Sequence, residues 1–217
     1  MNDEDLKNIA HQLSKPDGEA GQQMGEMMNA TNIGMTTDCI NQLRLNDYDS
    51  VLEIGHGNCG HLHYLLDKAT DLRYTGLEIS SLMSDEAQKI NAPFLRENIA
   101  FRIYDGLTLP FEEARFDAVF TVNTLYFWQE PKVFLKEIYR VLNKKGKLLI
   151  TIADKSFMEK LPFTKYVFTL YETAEVEILA ESAGFKVTEI KENTDEVRSK
   201  AGDLVTRKFY TLTLSKA

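Results

Sequence analysis

The sequence predicts an α/β fold, a mostly parallel sheet with helices on both faces. Two observations predict it. From Asp49 onward, short apolar runs of strand length alternate with amphipathic stretches of helix length, the pattern of a parallel sheet covered on both sides. The first of those runs, Val51-Leu52-Glu53-Ile54, opens directly into a glycine-rich turn, Gly55-His56-Gly57-Asn58-Cys59-Gly60. Glycines there let main-chain N–H groups approach a ligand at the start of a helix, where those groups lack partners.

Taken in order, the first 45 or so residues stand apart. They are rich in Met, Gln, Asn and Gly, with Met24, Met27, Met28 and Ile33 at near-helical spacing, and they read as two or three short helices. The regular alternation then gives strand 51–54, helix near 60–68, strand 73–78, helix near 81–91, strands 100–104 and 116–121, helix near 131–142 and strand 147–153. Lys144-Lys145-Gly146 is expected to close the 131–142 helix, with cations at its negative end and glycine in the left-handed cap. An irregular aromatic segment runs from Phe157 to Tyr171, and a helix near 173–183 ends in Gly184. The tail reads as two strands, 186–190 and 207–214, joined by a charged loop.

Composition bounds the function. A chain of 217 residues, 43% hydrophobic, can bury the core of one α/β domain with a small appendage. A formal charge of −8 repels phosphate backbones, so a small-molecule substrate is expected and a nucleic acid is not. Two cysteines, Cys39 and Cys59, are too few for a disulfide framework. The N-terminus has no signal-peptide pattern, and no apolar run approaches the ~20 residues of a membrane span, so a cytoplasmic setting without membrane insertion is expected.

Five pieces of the chain, in order from Asp49 to Gly146, carry a family resemblance. They are Val51-Leu52-Glu53-Ile54-Gly55-x-Gly57, then Gly76-Leu77-Glu78-Ile79-Ser80 with Met83, then Asp105-Gly106-x-x-Leu109-Pro110-Phe111, then Phe116-Asp117-Ala118-Val119, and last Phe134 through Leu148. Together they resemble class I S-adenosylmethionine-dependent methyltransferases, in particular the small-molecule group that includes ubiquinone and menaquinone biosynthesis enzymes. The resemblance implies a Rossmann-like sheet of seven strands with an antiparallel last strand, a helical lid over residues 1–45 and a donor-binding domain over 46–217. The cofactor it implies is S-adenosylmethionine, and the activity is methyl transfer to a small, apolar or aromatic acceptor. A non-catalytic donor-binding module and an NAD-dependent oxidoreductase are the alternatives, because Gly55-x-Gly57-x-x-Gly60 also fits a dinucleotide fingerprint. Glu53 favours the methyl donor: a carboxylate at a strand end needs a partner, would repel a pyrophosphate and would attract a cationic methionine end.

The resemblance also implies roles residue by residue. Glu53, Gly55, Gly57 and Gly60 would line the methionine side, and Glu78 would accept the ribose hydroxyls. Ile79 and Met83 would flank the adenine, with Asp105 accepting from its amino group and the N–H of Gly106 or Leu107 reading a ring nitrogen. Asn123 would stand near the reacting methyl. Each has a plainer reading, such as an Asp-Gly turn at 105–106 or core packing at 79 and 83. Tyr126 and Trp128 are candidates to touch the acceptor, and His56 and Tyr126 are the leading general-base candidates. Cys59 stands where many members carry glycine, so its side chain must point away from the cofactor or narrow the pocket. His61 and His63 do not share a helical face, and no metal is expected. The Met-rich helices and the aromatic segment are expected to wall the acceptor pocket, with a homodimer contact as the alternative use of the Met stripe.

Overall fold

The computed structural model describes residues 2–198 and 204–217. Its strands are β1 (Ser50–Ile54), β2 (Arg73–Glu78), β3 (Ile99–Ile103), β4 (Phe116–Val122), β5 (Leu142–Ala153), β6 (Phe185–Arg198) and β7 (Leu204–Lys216). They form one sheet in the order β3-β2-β1-β4-β5-β7-β6. Neighbours from β3 to β5 pair in parallel, whereas β7 runs antiparallel to both β5 and β6. Six strands therefore point one way and β7 opposes them, as the resemblance implied. Strand order reverses between β1 and β4, which opens a crevice at their carboxyl ends. Ligands of open α/β sheets bind in such a crevice.

The helices are α1 (Asp3–Ser14), α2 (Gly18–Leu43), α3 (Leu62–Leu66), α4 (Ser81–Ile90), α5 (Pro131–Val141), α6 (Lys155–Met158) and α7 (Thr173–Ser182). Successive strand residues point to opposite faces, so a strand covered on both sides must be apolar throughout. Accordingly Val51 packs with Cys39, Ile40, Leu43, Leu65 and Ala87 of α2, α3 and α4. Its neighbour Leu52 packs with Phe134, Leu135 and Ile138 of α5 and Val176 of α7 on the other side. In α5, Pro131 opens the first turn, and Phe134, Leu135, Ile138 and Val141 fall on one buried stripe. Each such side chain contributes about 1.5–3 kcal/mol by leaving water.

Three sequence expectations need correction. Residues 18–43 form one 26-residue helix, because Gly21, Gly25 and Gly34 serve as close contacts and not as breaks. A Cβ at Gly25 would lie 2.6 Å from the Met83 Sδ, and one at Gly34 would lie 2.9 Å from an Asp195 carboxylate oxygen. The 131–142 helix ends at Val141, and Gly146 lies inside β5, where a Cβ would meet the Asp117 carbonyl oxygen at 3.0 Å. Glycine is needed there for approach, not for a helix cap. The tail strands extend to Arg198 and from Leu204, so most of the expected charged loop is strand, and residues 199–203 lie outside the described residues. Gly184, by contrast, follows α7 with φ of +96°, as a left-handed stop requires. Among the described residues, no helix is long and apolar enough to cross a membrane.

Candidate active site

The glycine turn follows β1 at the crevice and is tied down on every side. Gly55 N–H donates to the Leu77 carbonyl at 2.8 Å, Cys59 N–H to the His56 carbonyl at 2.9 Å, and the Asn91 side chain to the Cys59 carbonyl at 3.0 Å. Gly55 and Gly57 have φ of +73° and +56°. No atom lies within 4 Å of where a Cβ at Gly57 would stand, so that side of the turn is open to a ligand. Cys59 adopts φ of +50°, a conformation that costs a side-chain-bearing residue about 1–2 kcal/mol and explains why glycine suits the position. Its thiol points inward, 3.2 Å from the Tyr74 hydroxyl, and is fully buried. It therefore points away from the open side of the turn.

Beneath the turn, Glu53 is buried and paired within the protein. Its Oε2 accepts the Tyr74 hydroxyl at 2.5 Å and stands 3.0 Å from His61 Nε2. Burial alone would raise the carboxyl, but the His61 charge and the bonds from His61 and Tyr74 outweigh it and hold Glu53 below the usual range. Burial likewise opposes the His61 cation, yet Glu53 and Cys59 raise it well above its ordinary value. Sequence reasoning weighed His61 only against His63, which is exposed. The usable signal was Glu53 itself, a buried acid for which the chain had to supply a partner. Glu53, Cys59 and His61 place potential ligand atoms within 4.8 Å of one another, but hydrogen bonds already satisfy the group without an ion.

Glu78 closes the second side of the crevice at the end of β2. Its Oε2 accepts the Gly57 N–H at 3.0 Å, and its Oε1 accepts the N–H groups of Ile79 and Ser80 at 2.7 and 3.0 Å. One carboxylate thus couples β2 to the glycine turn, and of its roughly four lone-pair sites the one left, on Oε2, can still accept a hydroxyl. Ser80 caps α4, its Oγ accepting the Met83 N–H. Gly106, at φ +82°, lies close enough that a Cβ would sit 3.4 Å from Ile79 Cγ2, which brings the ends of β2 and β3 together as an apolar wall. Asp105 is exposed; its Oδ1 accepts the N–H groups of Thr108 and Leu107, both at 2.8 Å, and these bonds lower its carboxyl. It forms the Asp-Gly turn that the plainer reading anticipated. Met83 is buried, its sulfur against Gly25 of α2.

At the end of β4, Asn123 takes the left-handed conformation, φ +57°. Thr124 beside it lies against Gly55, where an added Cβ would stand 2.4 Å from its methyl. Asn123 Nδ2 donates to Asn32 Oδ1 of α2 at 3.1 Å, and the Tyr126 hydroxyl donates to Asn123 Oδ1 at 3.2 Å. Helix α2 thus runs along the crevice, meeting α4 at Gly25, the glycine turn where Asn29 faces Gly60, and β4 where Asn32 meets Asn123. Beside these small and amide side chains, Met35 of α2 is buried with its sulfur 3.4 Å from Asn123 Nδ2, whereas Met27 and Ile33 of the methionine stripe are exposed.

Of the expected bases, Tyr126 is held in hydrogen bonds, whereas His56 keeps a buried Nε2 without a hydrogen-bond partner among the described residues. His56 Nδ1 donates to the Gly57 carbonyl at 2.7 Å, its ring packs on Phe101 at 5.0 Å, and a Cβ at Gly76 would lie 2.6 Å from its Cδ2. The imidazole therefore lies on the β2–β3 face, and burial lowers its proton affinity despite Glu78 and Glu53. Tyr126 accepts the Ala153 N–H at 2.7 Å, and burial pushes its phenol up. Trp128 is buried edge-on against Phe134 in the core. Arg207 of β7 reaches the same edge and was missed: it binds Asn32 of α2, 175 residues away in sequence.

This topology, with a glycine turn after β1 and an acid ending β2 at the switch point, is the architecture of the class I methyltransferases. Residues 52–150 match a family described as a methyltransferase domain. An uncharacterized methyltransferase, YdaC, of Bacillus subtilis is 29% identical over 133 residues, 60% of this chain and 71% of that protein. A fatty-acid O-methyltransferase of Mycolicibacterium smegmatis is 38% identical over 106 residues, 48% of this chain and only 36% of that enzyme. The fold is also that of a phosphoethanolamine N-methyltransferase 2 from Haemonchus contortus, solved with S-adenosylhomocysteine. That likeness has a TM-score of 0.71 at 15% identity and covers 97% of this chain and 60% of that one. Residues 52–150 thus carry the methyltransferase-domain match, and the sequence relatives and the fold together support a class I S-adenosylmethionine-dependent methyltransferase. The open side of Gly57 and the lone-pair site left on Glu78 fit that donor, and the methyltransferase matches set the dinucleotide reading aside.

Proposed function

We propose that this methyltransferase acts on a small, apolar or aromatic molecule enclosed between the sheet edge and α1–α2, with α2 as the lid. The observation that carries this reading is the course of α2, whose Gly25, Asn29 and Asn32 face Met83, Gly60 and Asn123 in turn. A helix so placed must shift to admit ligands and can then shut out water. The fatty-acid O-methyltransferase relative acts on an apolar acceptor, which supports the same reading.

In this reading the Gly55–Gly57 main chain and Glu53, through the carboxylate oxygen not engaged by Tyr74 and His61, hold the methionine end. Glu78 takes a ribose hydroxyl. Ile79, Met83 and Gly106 flank the adenine, and Asp105, through the Oδ2 that the Leu107 and Thr108 N–H groups leave open, or the Gly106 N–H reads its edge. The donor, when bound, supplies a methyl already activated by its sulfonium. What remains for the chain is alignment and exclusion of water. Asn123 orients the acceptor beside Gly55, and Tyr126 fixes Asn123. The aromatic cluster of Phe127 and Phe168, with ring centroids 4.6 Å apart, walls the acceptor side.

The test is to incubate the protein with radiolabelled S-adenosylmethionine and a cell extract, then separate the products. Label in small, organic-extractable molecules supports the reading. Label confined to nucleic acid or protein contradicts it.

A further inference from the structure

We propose that the acceptor is a carboxylate, held by the Arg207 guanidinium and the Asn123 amide; this rests on the donor lying at the Gly55 turn. Asn32 Oδ1 receives two N–H donors, Arg207 Nη1 and Asn123 Nδ2, each at 3.1 Å. One oxygen atom thus sits between a cation and an amide at the edge of the crevice. The donors belong to β7 and the end of β4, whereas the oxygen belongs to α2, the element that must move. When α2 lifts, the buried Arg207 Nη1 loses Asn32 Oδ1 and the partly buried Asn123 Nδ2 loses both Asn32 Oδ1 and Met35 Sδ, which is costly unless another oxygen replaces them. A carboxylate oxygen replaces them with gain, because a hydrogen bond to an anion is stronger than one to a neutral amide.

Arg207 is built for this use. It is only 6% exposed, and Asp195 grips its other edge, Oδ1 at 3.0 Å from Nε and Oδ2 at 2.6 Å from Nη2. Nη2 also donates to the Thr31 carbonyl at 2.8 Å. Asp195 of β6 orients the fork, the Thr31 carbonyl leaves with Asn32 when α2 moves, and Nη1 is the corner aimed at Asn32 and Asn123. The Asp195 charge offsets the cation, so an acceptor without charge gains little there while a carboxylate gains a directed bond. An ammonium would be repelled.

The proton balance agrees. A carboxylate is ionised at neutral pH and needs no base. That matches a site in which the His56 ring lies on the β2–β3 face and the Tyr126 hydroxyl is bound to Ala153 and Asn123. In the reaction a carboxylate lone pair forms the O–C bond to the methyl as the C–S bond breaks, and the bonding pair passes to sulfur. The products are a neutral thioether and a neutral methyl ester, and no proton moves. The ester has lost the charge that held it to Arg207, which favours its release.

The experiment presents the full-length protein with labelled S-adenosylmethionine and octanoate, dodecanoate, benzoate or phenylacetate, alongside octan-1-ol, octylamine and phenol. In parallel, calorimetry measures binding of the same carboxylates in the presence of S-adenosylhomocysteine. The expected result is label in at least one carboxylate, released as methanol by alkali, and none in the other compounds. Arg207→Gln and, independently, Asn123→Asp should each weaken carboxylate binding by about tenfold or more. Arg207→Lys should retain part of it, and S-adenosylhomocysteine affinity should be unchanged in both Arg207 variants. Label on the alcohol, amine or phenol alone, no labelled carboxylate despite donor-product binding, or carboxylate binding indifferent to both substitutions overturns the proposal and leaves the donor site standing. Failure of the wild-type protein to bind S-adenosylhomocysteine overturns the donor-site reading and this proposal with it.

Discussion

At the residue scale, the buried group around Glu53 shows how one sequence feature implies another. An acid at this depth is stable only with partners, and Tyr74 and His61 supply them. Removing His61 leaves a buried charge uncompensated, so His61→Ala should destabilise the protein by about 3–5 kcal/mol; denaturant unfolding measures it. The pH dependence has a defined sign. His61, raised in the folded state, contributes stability that is complete below its unfolded value of about 6.5 and is lost as pH climbs through its raised value. Glu53, lowered in the folded state, contributes stability present above about 4.3 and lost as pH falls through its depressed value. The melting-temperature gap between wild type and His61→Gln should therefore be widest between about pH 4.3 and 6.5 and narrow as pH rises beyond. A gap constant from pH 5.5 to 9 would contradict the ion pair. Glu53 was legible in the sequence as an acid needing a partner, but that partner was sought first in the ligand. His61 lies eight residues away across a turn whose path only the fold reveals.

At the scale of elements, α2 is two things in one helix. Its first half lies over the crevice, and its last turns bury Cys39, Ile40 and Leu43 in the core beneath the sheet. Residues 1–45 are thus not a detachable appendage. Leu43→Ala should cost about 2–5 kcal/mol by cavity formation, whereas Met27→Ala on the exposed stripe should stay within about 0.5 kcal/mol, both by denaturant unfolding. Equal effects would mean that α2 packs otherwise. The strands and α5 were legible because burial on two faces, or on one stripe, leaves a periodic apolar record. The long α2 was not. Its glycines look like interruptions, and only the neighbours they accommodate, Met83 and Asp195, show them to be contact points. Gly146 misled for the same reason: close approach to Asp117 and a left-handed cap require the same residue.

At the scale of the whole molecule, strand order puts the site where the sheet reverses, and the ends of β1, β2 and β4 deliver Gly55, Glu78 and Asn123 to one crevice. That much could be read in advance, since each residue ends an apolar run. The acceptor side could not. Asn32, Asn123 and Arg207 come from α2, β4 and β7, with separations of 91 and 175 residues, and no local pattern joins them. Ligand linkage follows from the crevice: S-adenosylhomocysteine at 100 times its dissociation constant should stabilise the fold by about 2.7 kcal/mol, and NAD should not.

The central claim is that the donor binds with its ribose on Glu78, and calorimetric titration of S-adenosylhomocysteine tests it most directly. Wild type should bind, and Glu78→Ala should bind more weakly by about 1.5–3 kcal/mol, roughly ten- to 150-fold, through loss of a charge-assisted hydrogen bond. Equal affinity in the two proteins would remove Glu78 from the site and with it the placement of the donor at this edge of the sheet.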